Sequence, residues 1–172
     1  MTIIDSKLLT RLQIEDFVYY EASLLDQWKL DAWLTLYTTD CRYEIAPTGK
    51  SDAAELSPET SLFLVADNRF RLEQRVIRLK KPTAHAEYPH SRSRRLYSNI
   101  RVLEDTGPTV RASLSFVTFR SAKQIVHQFF GQIDYTFAAT GADNQRSYQV
   151  AYKRVTLDLD NLVPQGKVTI IF

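Results

Sequence analysis

Between Arg94 and Leu159 the chain alternates hydrophobic and polar residues in four successive runs. The clearest spans Ile125 to Phe137, with Ile125, Phe129, Ile133, Tyr135 and Phe137 on one face and Gln128, Gln132, Asp134 and Thr136 on the other. A period of two marks a strand with one buried and one wetter face. Ahead of it, Val110, Ala112, Leu114 and Phe116 alternate with Arg111, Ser113 and Ser115. Earlier still, Leu96, Ile100 and Val102 alternate with Arg95, Asn99 and Arg101. In the last run Tyr148, Val150 and Tyr152 give way, out of phase, to Val155, Leu157 and Leu159. That switch predicts a bulge near Lys153-Arg154. The connections Asp105-Thr106-Gly107-Pro108 and Thr140-Gly141-Ala142-Asp143-Asn144 are rich in turn formers, and Ser121-Ala122-Lys123-Gln124 is a weaker turn signal. Together these runs predict one antiparallel sheet.

The N-terminal part supplies what covers it. Ile14, Phe17, Val18, Leu25 and Trp28 recur at three- and four-residue spacing, predicting an amphipathic helix over 6–27. Its N-cap is Ser6, or Thr10 with Gln13 as a capping box. A shorter helix is expected from about Lys29 to Tyr37, and a strand from Cys41 to Ala46, ended by Pro47. Residues 48–58 read as a loop. Ser61 to Ala66 is either a strand or the lead into a third helix, capped by Asp67 or Asn68 and ended by Pro82. On that helix Leu72, Val76 and Leu79 make the apolar face, with Arg71, Arg75 and Arg78 beside it. Residues 81–91 read as a loop, and Val168 to Phe172 as a final ordered apolar run. Helices followed by a long antiparallel sheet give an α+β domain. Its architecture is that of the cone-shaped nuclear transport factor 2 (NTF2-like) and cystatin-like class. The expected core holds Phe17, Trp33, Phe129 and Ile133.

Length adds that 172 residues suit one domain, residues 1–172, with a sizeable core. Neither a membrane span nor a signal pattern is evident, so a cytoplasmic location is expected. Charge is uneven. Residues 1–68 carry 12 acidic and 5 basic side chains, whereas residues 69–101 carry 10 basic and 2 acidic. Front and middle then face each other either within one subunit or across subunits. Nucleic-acid binding is not expected: the net charge is only +2 and no matching motif accompanies the arginines.

Candidate chemistry is sparse. His85 and His90 share a loop with Glu87, the ligand types of a mononuclear iron site. Five-residue spacing on a loop with Pro89 fixes no geometry, and no metal site is expected. His127 falls on the apolar side of its strand as a core histidine. No nucleophile elbow, phosphate loop or dinucleotide fingerprint is present. The single Cys41 excludes an intrachain disulfide and any cluster needing two cysteines. Asp40, Tyr43, Asp134 and Tyr135 remain as acid/base candidates for a cone pocket, although Asp134 lies on the polar strand face. No catalytic, metal or cofactor-binding residue is assigned.

A family resemblance runs from about residue 8 to 172. Glu21-Ala22-Ser23-Leu24-Leu25-Asp26, Trp33-Leu34-Thr35-Leu36-Tyr37, Asp40-Cys41-Arg42-Tyr43 and Pro47 resemble the N-terminal pattern of the small (beta) subunit of aromatic-ring-hydroxylating dioxygenases. Asp67-Asn68, Arg75-Val76-Ile77-Arg78-Leu79, Ala84-His85-Ala86-Glu87, Pro89, Ser91-Arg92, Arg94-Arg95-Leu96 and Ser98-Asn99-Ile100-Arg101 resemble its longest shared stretch. Tyr152-Lys153-Arg154 with Leu157-Asp158 also fits. The resemblance implies the cone fold, self-association as a trimer and assembly with a catalytic alpha subunit, usually as α3β3. It places the Rieske [2Fe–2S] cluster and mononuclear non-haem Fe(II) in that partner. The implied role is a non-catalytic structural subunit in O2-dependent dihydroxylation of an aromatic compound in catabolism. The runners-up are a stand-alone cone-fold isomerase or dehydratase and a pure binding module. Because guanidinium forks suit interfaces, Arg78, Arg92, Arg94 and Arg95, with His85, are expected on an assembly surface.

Overall fold

The four alternating runs form the expected antiparallel meander, and two further strands extend it. The computed structural model describes residues 6–49, 55–82, 87–142, 145–163 and 166–172. Helices α1 (Ser6–Asp26) and α2 (Leu30–Leu34) come first, then β1 (Tyr37–Ile45), β2 (Val65–Asn68) and α3 (Arg69–Leu79). The meander follows as β3 (Arg92–Asp105), β4 (Thr109–Ala122), β5 (Ile125–Thr140) and β6 (Ser147–Leu157). The six strands form one sheet in the order β2-β1-β6-β5-β4-β3. β1 runs parallel to β6; the other neighbours are antiparallel. This is the α+β cone, a curved sheet with helices packed on its inner face.

Local chemistry sets the helix ends. Thr10 lies within α1 and does not cap it: the Thr10 hydroxyl donates instead to Asp105 at 2.9 Å. α1 ends where Trp28 enters the left-handed region at φ 57°, with the Lys29 N–H bonded to the Leu24 carbonyl. The Asn68 side chain accepts the Arg71 N–H at 3.0 Å and caps α3.

The core lies between α1, α2 and the inner sheet face. Ile14, Val18, Leu25 and Trp33 meet Leu114, Phe129, Ile133, Phe137 and Val155 there, and Leu72 and Val76 of α3 belong to the same cluster. Trp33, Phe129 and Ile133 are fully buried, as expected. Phe17 is half-buried and sets its ring edge-on to Phe137 at 5.2 Å.

Two strand phases differ from the sequence pattern. In the first half of β3 the alternation predicts Leu96 inside and Arg95 outside; the structure has the reverse, with Arg95 buried and Leu96 55% exposed. Asn99, at φ 54°, then inserts a bulge that shifts the register against β4 between Ser98 and Arg101. Beyond it Ile100 faces the core as predicted. In β6 the bulge falls at Ala151, where partners move from Phe137–Val150 to Thr136–Tyr152, rather than at Lys153-Arg154. Lys153 is consequently delivered to the inner face, fully buried.

Candidate functional site

In a cone fold the inner face of the sheet is where a pocket would lie. Here it holds an ion pair and its donors. Glu21 sits on the buried stripe of α1 and Lys153 on the inner face of β6, both at 0% exposure. Glu21 Oε1 accepts from Lys153 Nζ at 2.8 Å, Tyr37 OH at 2.8 Å and Trp33 Nε1 at 3.0 Å. Oε2 accepts from Tyr135 OH at 2.7 Å. Burial pushes the Glu21 carboxyl up, but the Lys153 ammonium and the hydroxyl donors outweigh it, and the net displacement is downward. Burial pulls the Lys153 ammonium down, which Glu21 partly offsets. Burial and the neighbouring carboxylate hold Tyr37 and Tyr135 well above their usual range, so both remain protonated donors at neutral pH.

The chain itself closes the mouth of this interior. Ile170, Ile171 and Phe172 are buried. The Phe172 ring packs against Phe116 at 5.6 Å and Phe129 at 5.1 Å, and its N–H donates to Tyr43 OH at 3.0 Å. Arg95 donates to the Ile171 carbonyl and pairs with Asp26. The space left among Leu25, Trp28, Leu79, Arg95 and Ile171 is about 10 Å³, room for about one water. An aromatic ring does not fit in it.

Glu87 forms a second anchor. Its carboxylate accepts from Arg120 Nε at 2.8 Å, Ser91 Oγ at 2.6 Å and Thr169 Oγ1, tying the segment around Thr169 to β4 and to the residue just ahead of β3. His90 stacks on Trp28 with ring centroids 4.1 Å apart and sets Nδ1 3.1 Å from the Glu87 carbonyl. Both Glu87 oxygens are thus engaged within the chain. Among the described residues no group of three or more His, Cys, Asp or Glu is placed to hold a metal ion. His127 is half-buried, 3.4 Å from Arg120.

Of the acid/base candidates, Tyr43 and Tyr135 are inside, Asp40 is exposed, and Asp134 is half-buried on the outer sheet face, where it accepts from Gln132. Of the arginines expected on an assembly surface, Arg78, Arg92 and Arg94 are exposed. Arg95 points the other way, its guanidinium committed to Asp26, Ser93 and Ile171 within the chain. His85 lies outside the described residues. The sequence reading missed Glu21 and Lys153. A signal for Glu21 was present: it follows Ile14 and Val18 at the spacing of the buried helix face. Lys153 had none, because its orientation depends on the position of the Ala151 bulge.

The family profile described as "Ring hydroxylating beta subunit" matches residues 20–163. The small oxygenase component of the p-cumate 2,3-dioxygenase system of Pseudomonas putida is 43% identical over 163 residues, 95% of this chain and 87% of that protein. The crystal structure of the beta subunit of benzoate 1,2-dioxygenase from Burkholderia mallei superposes with a TM-score of 0.73 at 24% identity, covering 99% of this chain and all of that one. An NTF2-like protein with a cystatin-like fold from Novosphingobium aromaticivorans shares the fold, with a TM-score of 0.58 at 14% identity over 99% of this chain and 96% of that one.

Proposed function

Because the chain belongs to the ring-hydroxylating beta subunit family, we propose that it is the non-catalytic structural subunit of a dioxygenase for an aromatic compound, working as a single domain, residues 1–172. It assembles with a catalytic alpha subunit, as α3β3, and with itself as a trimer, in the cytoplasm. The Rieske [2Fe–2S] cluster and the mononuclear Fe(II) belong to that alpha subunit. A Rieske cluster takes two cysteines and two histidines, and Cys41 is the only cysteine of this chain. The observation that carries the reading is the filled cone. Where an isomerase or dehydratase of this fold would need an open pocket, Glu21, Lys153, three aromatic donors and Phe172 occupy the space. Arg78, Arg92 and Arg94 on the surface, with His85, contribute to assembly, and Arg95 supports that surface from inside by holding β3 to α1 through Asp26.

The test is co-expression with the large-subunit gene of the same system. The expected result is an affinity-tagged chain that retains the large subunit through size exclusion, oxygenase turnover only in the complex, and no tightly bound iron in the chain alone. Turnover by the isolated chain, or a large subunit that assembles and works fully without it, overturns the reading.

A further inference from the structure

Residues 168–172 belong to no helix or strand, and among the described residues none of the backbone hydrogen bonds of turns and loops reaches them. Side chains of the cone wall hold them instead. Thr169 donates to Glu87, Arg95 Nη2 donates to the Ile171 carbonyl, and the Phe172 N–H donates to Tyr43 OH at 3.0 Å. The Phe172 ring is fully buried, with the Phe116 and Phe129 rings 5.6 and 5.1 Å away. That is how a pocket grips a ligand: a ring in an aromatic seat, and polar groups met by side chains of the wall.

The same wall is only partly satisfied. Thr118 Oγ1, Arg95 Nε and Tyr97 OH are buried and have no hydrogen-bond partner among the described residues. They are not scattered. Register sets Thr118 opposite Arg95 on one side and Phe129 on the other, and Tyr97 opposite Phe116. The three orphaned atoms thus flank the two rings that hold Phe172. Burial, with the Glu21 carboxylate adding to it, holds the Tyr97 phenol above its usual range, so it stays a protonated donor. Buried polar atoms are nearly always paired, and three left over around one ring mark a wall shaped for more than a phenylalanine.

We propose that this wall is a binding seat for a neutral, single-ring phenol, and that Phe172 is its built-in competitor. The ligand ring takes the place of the Phe172 ring between Phe116 and Phe129, and its hydroxyl lies among Arg95, Thr118 and Tyr97. Arg95 Nε–H only donates, whereas the two hydroxyls donate and accept. One phenolic hydroxyl meets that set: its oxygen accepts from Arg95, and its proton goes to Thr118 or Tyr97. A carboxylate does not suit the place. The buried ions beside it are already matched, Glu21 with Lys153 and Asp26 with Arg95, so one more charge would be buried unpaired. With Phe172 in place only about 10 Å³ remains beside Arg95 and Ile171, so ligand and segment exclude each other. The seat is independent of the subunit role above, because binding is read on the chain alone.

Calorimetric titration of full-length Phe172→Ala with phenol, toluene and benzoate tests this. Phenol and toluene are expected to bind saturably, phenol the tighter, and benzoate not at all; the wild type should bind none of them measurably. Adding Thr118→Val, which keeps the shape and removes the hydroxyl, should weaken phenol about tenfold and leave toluene unchanged. A folded Phe172→Ala that binds neither ring overturns the seat. Phenol no tighter than toluene, or indifferent to Thr118→Val, overturns the polar half of the site, the orphaned atoms then being served by water. Benzoate binding as well as phenol overturns the preference for a neutral ligand, and a wild type that binds phenol as well as Phe172→Ala overturns the competition. Should Phe172→Ala be unfolded by circular dichroism, millimolar phenol should refold it, since a ligand of the native state stabilises that state by mass action. A variant that stays unfolded at saturating phenol overturns the proposal equally.

Discussion

A single buried carboxylate shows how strongly one residue is tied to the rest. Glu21 accepts from four side chains on α2, β1, β5 and β6, so removing its charge leaves Lys153 without a counter-ion in a site with no exposure to water. Breaking one side of a buried pair costs about 3–5 kcal/mol, more than the roughly 1.5–3 kcal/mol of a single hydrogen bond to a charged group. Glu21→Gln is therefore expected to lose about 3–5 kcal/mol in urea unfolding, and Tyr135→Phe, which removes one donor to the carboxylate, about 1.5–3 kcal/mol. Adding Lys153→Met to Glu21→Gln should restore most of the loss, since the remaining amide still accepts from the tyrosines and no charge is stranded. If Glu21→Gln alone costs under about 1 kcal/mol, the pair is not ionised in the native protein. The sequence could not disclose this pair as a pair. The two residues are 132 positions apart, and although Glu21 falls on the buried helix face, nothing local names Lys153 as its partner.

At the scale of elements, period-two alternation identified the runs that became β4 and β5 with their correct faces. It did so because β4 and β5 pair with each other without a register shift and their inward residues are apolar until the far end. It failed where a strand carries a bulge or a satisfied inward charge. β3 breaks the pattern because Arg95 has partners inside, so hydrophobicity no longer tells inside from outside. The α3 cap at Asn68 was legible because capping is local chemistry, whereas β1 pairing parallel to β6 was not, because it depends on strands far apart in sequence. The register of β5 on β6 rests on one further residue. Gly131 has φ 153° and lies so close to β6 that a Cβ would stand 2.0 Å from the Thr156 carbonyl oxygen. Backbone cannot yield as a side-chain tip can, so Gly131→Ala should push the strands apart and cost at least about 2 kcal/mol, read as a lower denaturation midpoint. Phe116 lies directly across from Gly131 on β4. An alanine variant as stable as wild type would show that the two strands are not this close.

For the whole molecule, the N-terminal helix is fixed to the sheet by ionic contacts at several points along its length, and these make the fold sensitive to acid. At the start of α1, Asp105 accepts from Thr10 and takes Arg146 in a two-pronged pair at 2.7 and 3.0 Å. Hydrogen bonding from Arg146 holds the Asp105 carboxyl far below its ordinary 3.8. About a turn and a half from the other end, Glu21 is lowered from 4.5 as described. The sign follows from linkage: both carboxyls have folded-state values below their unfolded ones, so their stabilisation is complete above about pH 5. It fades as pH falls through the ordinary carboxylate range toward the folded values, because the unfolded chain takes up protons first. Thermal unfolding should accordingly show a flat Tm from about pH 5 to 7 and a continuous decline between about pH 4.5 and 2. Asp105→Asn should lower Tm at pH 7 and flatten part of the decline, since one of the groups that titrates differently in the two states is gone. A decline of equal steepness in that variant would mean that the acid sensitivity comes from elsewhere. The same tethering bears on function. A subunit whose role is to hold partners in fixed geometry needs a scaffold that does not open, and an interior closed by ion pairs and by the chain's own last residues provides one while giving up the pocket that a catalytic cone requires.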